Sequence, residues 1–224
     1  MADDDDDIRD DVLLKEVSDE LKKERYAELW KIYGNYVIGA AVALVLGMSG
    51  YQGWTTYQQG QREAEGEKFA QAERLAEAGR PAEAAAAFAG LAEDSGAGYA
   101  TLSRLRAAAL QAKAGDTGGA VATYDSLAGD SSAGETYRDL AVLLSVQHQL
   151  DSGDPDALMA RLAPLTAEDN PWRYSALELT ALLANRAGDR ARAREIFTRL
   201  GDDAGAPQGL RTRAREMLIY LGGG

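Results

Sequence analysis

Apolar positions are concentrated in one long segment near the start of the chain. Residues 32–61 contain no charged side chain, although 27% of the whole chain is charged. At ~1.5 Å per residue, a helix of this length can cross a hydrocarbon core of about 30 Å. Aromatic residues stand at both ends of the apolar centre, as at a membrane–water boundary: Trp30, Tyr33, Tyr36, Tyr51, Trp54 and Tyr57. The pattern predicts a transmembrane helix over residues 32–57.

Residues 1–31, before the apolar segment, divide into two parts. Asp3 to Asp7 lack the glycine and distal glutamate of a calcium loop, so we expect a disordered, solvated tail. From Ile8 to Lys31, apolar residues recur near the helical period and predict an amphipathic helix. An acidic start does not match a cleaved signal peptide. In comparable windows, five Lys or Arg precede the apolar segment and three follow it. This bias favours a cytoplasmic N-terminus and places residues beyond about 58 across the membrane.

A different pattern repeats through residues 62–221. Counting from glycines 79, 115, 153 and 188, alanine or leucine falls at +5, an aromatic residue or leucine at +9, and leucine at +12. These offsets lie on one helical face and predict a buried stripe. The positions are Ala84, Phe88, Leu91, Ala120, Tyr124, Leu127, Leu158, Leu162, Leu165, Ala193, Phe197 and Leu200. A repeat of this length predicts an all-α solenoid of paired helices, with residues 208–221 as a capping helix.

Charge and composition exclude several functions. The net charge of −12 offers no basic field for nucleic acid. The chain has no cysteine and a single histidine, His148, so His–Cys metal sites and thiol catalysis are excluded. His148 lies in a helical pattern five residues before a glycine, where a structural histidine is the simpler interpretation. We therefore expect no catalytic residue, no metal and no cofactor.

Two sets of residues are candidates for contacts with other proteins. Gly39, Ala43 and Gly47 recur every four residues in the apolar segment, as in close helix packing within membranes. The first helices of the pairs are predicted over residues 98–114, 135–150 and 171–187, and such helices line the concave face of a solenoid. Their aromatic and cationic residues are candidate peptide contacts: Tyr99, Arg106, Tyr137, Arg138, Arg173 and Tyr174. Alternatively, the tyrosines fill gaps in the core and the arginines solvate a helix face.

The repeated phrase resembles the tetratricopeptide repeat over residues 62–203. Three copies match well and the copy at Gly153 is degenerate; leucine at +12 and the scarcity of proline between copies depart from the family pattern. The blocks at residues 16–25, 29–36 and 53–57 resemble the start of YfgM-like proteins of alphaproteobacterial type. That resemblance implies a single-pass protein of the bacterial inner membrane, with its C-terminal domain in the periplasm.

The same resemblance implies a function and partners. YfgM-like proteins assist secreted or membrane proteins at the Sec translocon, so the expected partners are translocon subunits and a membrane-anchored periplasmic chaperone or prolyl isomerase. The alternative is a structural or assembly subunit that braces another inner-membrane complex and binds no peptide. Repeat domains change their ligands by changing surface residues, so the resemblance transfers the fold more directly than the partner.

Overall fold

The computed structural model describes the backbone of residues 4–222 and the side chains of residues 30–222, except positions 37 and 41. The described residues form helices and no strand, and helix accounts for 81% of the structure, which confirms the all-α prediction. The helices are α1 (Asp4–Glu77), α2 (Pro81–Asp94), α3 (Ala97–Lys113), α4 (Thr117–Ala128), α5 (Glu135–His148), α6 (Pro155–Leu162), α7 (Arg173–Arg186), α8 (Arg190–Asp202) and α9 (Gln208–Tyr220). A short 3₁₀ helix, Ala163–Thr166, follows α6.

Helix α1 contains the apolar segment and continues into the repeats. An 18-residue window within Trp30–Glu77 has a mean hydropathy of 1.6, and only 6% of that window is buried. Among the described residues, this is the one helix that is long and apolar enough to cross a membrane. A core helix can have the same composition, but the core helix of a soluble protein would be mostly buried. The chain divides after Arg62 into two compact units.

Two expectations about the N-terminal segment differ from the structure. Helix α1 begins at Asp4, so most of the aspartate run lies in its first turn and not in a disordered tail. Negative charge near a helix N-terminus is favoured by the helix dipole, which explains the difference. The predicted amphipathic helix, the apolar helix and the first repeat helix are also continuous. No proline interrupts residues 4–77, so nothing in the sequence forces the helix to end between them.

The turns within three of the four pairs have the predicted geometry. Gly79, Gly115 and Gly188 have φ of 75°, 91° and 86°, a left-handed conformation that glycine adopts without a Cβ clash. The aspartate after the second and fourth glycines caps the next helix, because Asp116 Oδ1 accepts from Gly119 N and Asp189 Oδ1 accepts from Arg192 N. The sequence therefore ends one helix and starts the next within three residues.

The predicted buried stripe is confirmed at all four copies. Residues at +5, +9 and +12 from the glycines are at most 4% exposed. The small residue seven positions before each glycine is equally buried: Ala72, Ala108, Val146 and Ala181 are at most 1% exposed. These four side chains lie where the first helix of a pair crosses its neighbours, so their size lets the helices approach closely. Phe88 packs edge-on against Phe69 of α1, with ring centroids 4.9 Å apart.

The third pair departs from the other three. Helix α6 has only eight residues, and Gly153 does not have a positive φ. Helix α5 ends at His148, and a longer turn leads to Asp154, which caps α6 by accepting from Asp156 N. Arg186 of α7 donates to the carbonyl oxygens of Leu150 and Gly153. The next pair therefore stabilises the turn that has lost its left-handed glycine.

Candidate functional site

The first helices of successive pairs are neighbours. Helix α3 contacts α5, α5 contacts α7, and α7 contacts α9. Side chains join them: Trp172 Nε1 donates to Thr136 O at 2.9 Å, and Asn170 Nδ2 donates to Asp139 Oδ2 at 2.7 Å. The solvent side of α3, α5 and α7 thus forms one surface, which we call the first-helix face. Its exposed residues belong to α3 and α5, since every residue of α7 is buried or half-buried. They are Ala97, Gly98, Leu102, Arg106, Ala109, Lys113, Glu135, Thr136, Tyr137 and Gln147.

Ion pairs cross this surface at both ends of the repeat array. Arg106 of α3 donates through Nε and Nη2 to the carboxylate of Glu73 on α1. Arg213 of α9 donates in the same two-pronged way to Glu178 of α7, at 2.7 and 2.8 Å. These hydrogen bonds raise the pKa of both arginines, so both remain charged across the physiological range. Each ion pair joins two neighbouring first helices, and the two pairs lie at the two ends of the first-helix face.

A third ion pair, between Arg104 and Asp130, links the end of the second helix pair to its first helix. Asp130 Oδ1 accepts from the backbone N and Oγ of Ser132, and Asp130 Oδ2 accepts from Arg104 Nη1 at 2.5 Å. The hydrogen bonds from Ser132, followed by that from Arg104, lower the pKa of Asp130 to about 2. This aspartate is the residue at +15 of the repeated phrase, and Asp203 occupies the same position in the fourth pair. In these two pairs, the aspartate at +15 therefore contacts an arginine of the pair's first helix, Arg104 or Arg173.

Four of the six predicted peptide contacts lie in intramolecular contacts. Tyr99 packs against Phe69, with ring centroids 5.9 Å apart, so it fills the junction of α1 and α3. The guanidinium of Arg173 lies 5.2 Å from the ring of Tyr174 and 3.9 Å from Asp203. Arg106 pairs with Glu73, as described above. These contacts match the alternative in which the side chains stabilise the fold, but Arg106 remains exposed at the surface.

The other two predicted contacts differ from each other. Tyr137 is 43% exposed at the start of α5. Its neighbour Arg138 is half-buried, and its Nε is buried without a hydrogen-bond partner in the described part of the chain. Sequence reasoning missed Leu102, which is 40% exposed on α3. Leu102 lies four residues before Arg106 and therefore on the same face of α3, and this spacing could have identified it from the sequence. Tyr137 and Leu102 are the large apolar side chains that the face exposes.

His148 has a structural position. Its ring lies parallel to that of Tyr124, with centroids 5.8 Å apart, and Tyr124 is 2% exposed. Burial raises the pKa of the Tyr124 hydroxyl. No group of three or more His, Cys, Asp or Glu residues that could hold a metal ion occurs among the residues the structure describes. His148 thus packs α5, the first helix of the third pair, against α4, the second helix of the second pair.

The predicted strip in the apolar segment is open. Gly39, Ala43 and Gly47 are exposed, and a Cβ added at either glycine would meet no atom within 4 Å. Their spacing of four places them on one face of α1. Large apolar side chains on the same helix are also exposed, including Leu44 at 65% and Leu46 at 68%. The strip is therefore a row of small residues on a helix whose large apolar side chains are exposed.

Comparisons with known proteins agree with this architecture. The family model described as a tetratricopeptide repeat-like domain matches residues 27–214. No curated protein and no solved structure matches the chain. Domains of this kind are typically protein-binding modules without catalytic activity. The matched range includes most of the apolar helix and all four helix pairs, so the chain belongs to the tetratricopeptide repeat-like domain family.

Proposed function

We propose that this protein is a membrane-anchored protein-binding module that assists secreted or membrane proteins at the Sec translocon of the bacterial inner membrane. Residues 1–31 form its cytoplasmic segment, residues 32–57 span the membrane, and residues 62–221 form the periplasmic repeat domain. The observation that carries the proposal is a protein-binding repeat domain in the same chain as an uncovered apolar helix. The domain acts by binding and not by catalysis.

The character of the first-helix face supports protein binding. It combines exposed apolar side chains, Leu102 and Tyr137, with charged groups held in place by the pair of Arg106 and Glu73. A prearranged charged pair loses little side-chain entropy on binding, and aromatic and arginine side chains often carry the energy of protein interfaces. We propose that the predicted contacts Tyr99, Arg106, Tyr137, Arg138, Arg173 and Tyr174 act through this face. Tyr137 and Arg106 touch the ligand, and the others hold the helices that present them.

Anchoring explains how a weak binding surface becomes effective. A tether confines the domain to a thin layer beside the membrane, which raises its local concentration near a partner in the same membrane. The blocks that resemble YfgM-like proteins favour a translocon subunit and a membrane-anchored chaperone or prolyl isomerase as that partner. The strip of Gly39, Ala43 and Gly47 provides a face on which another membrane helix packs closely.

Photo-crosslinking in intact cells tests this proposal. A photoreactive residue is placed at Gly47 in the strip and at Tyr137 on the first-helix face, and adducts are identified by mass spectrometry. Exposed positions off these surfaces, Val45 on α1 and Ala86 on α2, are the matched controls. We expect adducts to Sec subunits from Gly47 and adducts to a periplasmic folding factor or to emerging chains from Tyr137. Reproducible adducts only to another membrane complex would favour the structural subunit instead.

A further inference from the structure

Eight of the sixteen arginines in residues 62–224 have a partner in the described part of the domain. Six of them lie within ion-pair distance of a carboxylate: Arg80, Arg104, Arg106, Arg161, Arg173 and Arg213. Arg186 and Arg215 donate to backbone carbonyl oxygens. Carboxylates or backbone carbonyl oxygens of the same domain therefore interact with the positive charges of these eight arginines.

Helix α8 carries four of the other eight arginines. Arg190, Arg192, Arg194 and Arg199 are all exposed, and no side-chain ion pair or hydrogen bond involves their guanidinium groups in the described part of the chain. Glu195 is the acidic residue among them. Arg192 and Arg199 also border a groove of about 220 Å³ whose walls include the apolar side chains of Met159 and Leu177. By helical spacing, Arg190 and Arg194 flank one side of the exposed surface of α8, and Arg192 and Arg199 flank the other side, next to the groove. We call this exposed side of α8, with its four arginines and the groove, the α8 arginine face.

The fold gains little from three of these four charges, whereas Arg199 lies in the last turn of α8, where the helix dipole favours a positive charge. Arg190 and Arg192 lie in the first turn of α8, where the helix dipole disfavours positive charge. Arg190 and Arg194 are four residues apart on α8 and repel each other. Glu195, in contrast, lies between Arg192 and Arg199 beside the groove. Residues that break a local rule without a compensating contact are expected at functional surfaces. The α8 arginine face is therefore more consistent with a negatively charged partner than with a stabilising role.

Charge is also distributed unevenly along the repeats. Residues 62–160 contain 16 acidic and 8 basic residues, whereas residues 161–224 contain 8 acidic and 10 basic residues. A domain with this asymmetry has an acidic half and a basic half. A negatively charged surface attracts the second half and repels the first, so it orients the domain even though the net charge is negative.

We infer that the α8 arginine face binds the anionic lipid surface of the membrane in which the same chain is anchored. The inference rests on the membrane anchoring proposed above. Anchoring holds the domain close to lipid headgroups, so a few arginine–phosphate contacts are enough to select an orientation. Arginine suits this surface because its planar guanidinium donates two parallel hydrogen bonds to a phosphate group. The groove beside Arg192 and Arg199 is lined by apolar side chains and by Thr166, Thr180 and Glu195, which adds the mixed character of an interfacial surface.

A fluorescence experiment on the full chain in lipid nanodiscs tests this inference. The chain has no cysteine, so a single one can carry a fluorophore: Thr198→Cys on the α8 arginine face, and Ala86→Cys on the acidic half as matched control. The nanodiscs contain a lipid with a quenching headgroup, in phosphatidylcholine alone or mixed with phosphatidylglycerol. We expect quenching at position 198 to rise about twofold with phosphatidylglycerol and to fall with added salt, since charge drives the contact. The control position should show no such rise.

Replacing all four arginines by glutamine removes the charge and keeps good helix formers. This variant should lose the lipid-dependent quenching at position 198 while its helical circular dichroism stays unchanged. Equal quenching in both lipids, or a response that survives the four substitutions, would overturn the inference. Capture of an acidic protein by the α8 arginine face without lipid-dependent quenching would also overturn it. Failure of the chain to co-elute with either nanodisc would instead count against the membrane anchor.

Discussion

At the scale of single residues, two nearby glycines have opposite roles. Gly115 has φ of 91° in the turn between α3 and α4, whereas Gly118 is helical, and a Cβ added there would meet no atom within 4 Å. We expect Gly115→Ala to lower the free energy of unfolding by about 1–2 kcal/mol, because a left-handed backbone is costly with a Cβ. Gly118→Ala should raise it by about 0.4–1 kcal/mol. Urea unfolding of the full chain in mild detergent, followed by circular dichroism, measures both; shifts of the same sign would contradict this account.

Asp130 makes the stability of the fold depend on pH in the acid range. Its pKa is lowered from 3.8 to about 2 by the hydrogen bonds from Ser132 and Arg104. A group with a lowered pKa in the folded state contributes stability that is present above pH 3.8 and is lost as the pH falls toward 2. Wild type should therefore be more stable than Asp130→Asn at neutral pH, and the gap should narrow between pH 4 and 2. Thermal unfolding of both proteins across this range measures the gap, and a gap that does not vary with pH would exclude this role.

Residue patterns predicted buried positions better than surface contacts. The offsets from each glycine identify Ala84, Phe88 and Leu91 as buried because burial follows from helical period and side-chain character alone. The partner of Arg106 was not predictable in the same way. Glu73 lies 33 residues earlier, on the preceding first helix. The two side chains meet only because one pair packs on the next, and the register of that packing is set by the three-dimensional structure.

At the scale of elements, the degenerate third copy explains a long-range contact. Its turn lacks a left-handed glycine, and Arg186 of α7 donates to the carbonyl oxygens of Leu150 and Gly153. The sequence identified the weak copy but not this compensation, since Arg186 is an ordinary last-turn arginine by pattern. The continuous helix α1 was also missed. Helix propensity gives no reason for α1 to end near residue 58. The boundary was expected there because the sequence changes from apolar to polar, and such a change does not by itself end a helix.

We expect Arg186→Met to destabilise the fold by about 1–2 kcal/mol, because it leaves partly buried carbonyl groups without a donor while keeping an apolar stem. Hydrogen–deuterium exchange should increase chiefly in residues 149–153. Arg194→Met, at an exposed position on α8, is the matched control and should change stability by less than about 0.5 kcal/mol. An equal loss in both variants, or unchanged exchange in the turn, would show that Arg186 does not hold it.

At the scale of the whole molecule, family membership and topology rest on different features. The repeated phrase identifies the family because its residues determine how the helices pack in all four pairs. The family match extends over residues 27–214. Orientation across a membrane rests on a few basic residues, five before the apolar segment and three after it in comparable windows. A bias of this size favours one orientation with a small margin. The proposed periplasmic position of the repeats therefore depends on residues that do not belong to the buried stripe of the repeats.

Removing two of these charges should change the topology without changing the fold. In intact cells with a permeabilised outer membrane, an impermeant maleimide should label Ala86→Cys, and it should label Ser18→Cys only after the inner membrane is broken. Adding Lys22→Gln and Lys23→Gln equalises the basic residues on the two sides, so both cysteines should become partly labelled in intact cells. Replacing two acidic residues in the same segment, Asp19→Asn and Glu20→Gln, is the matched control, because acidic residues contribute little to orientation. Labelling of Ser18→Cys alone in intact cells would place the repeat domain in the cytoplasm and exclude a periplasmic role.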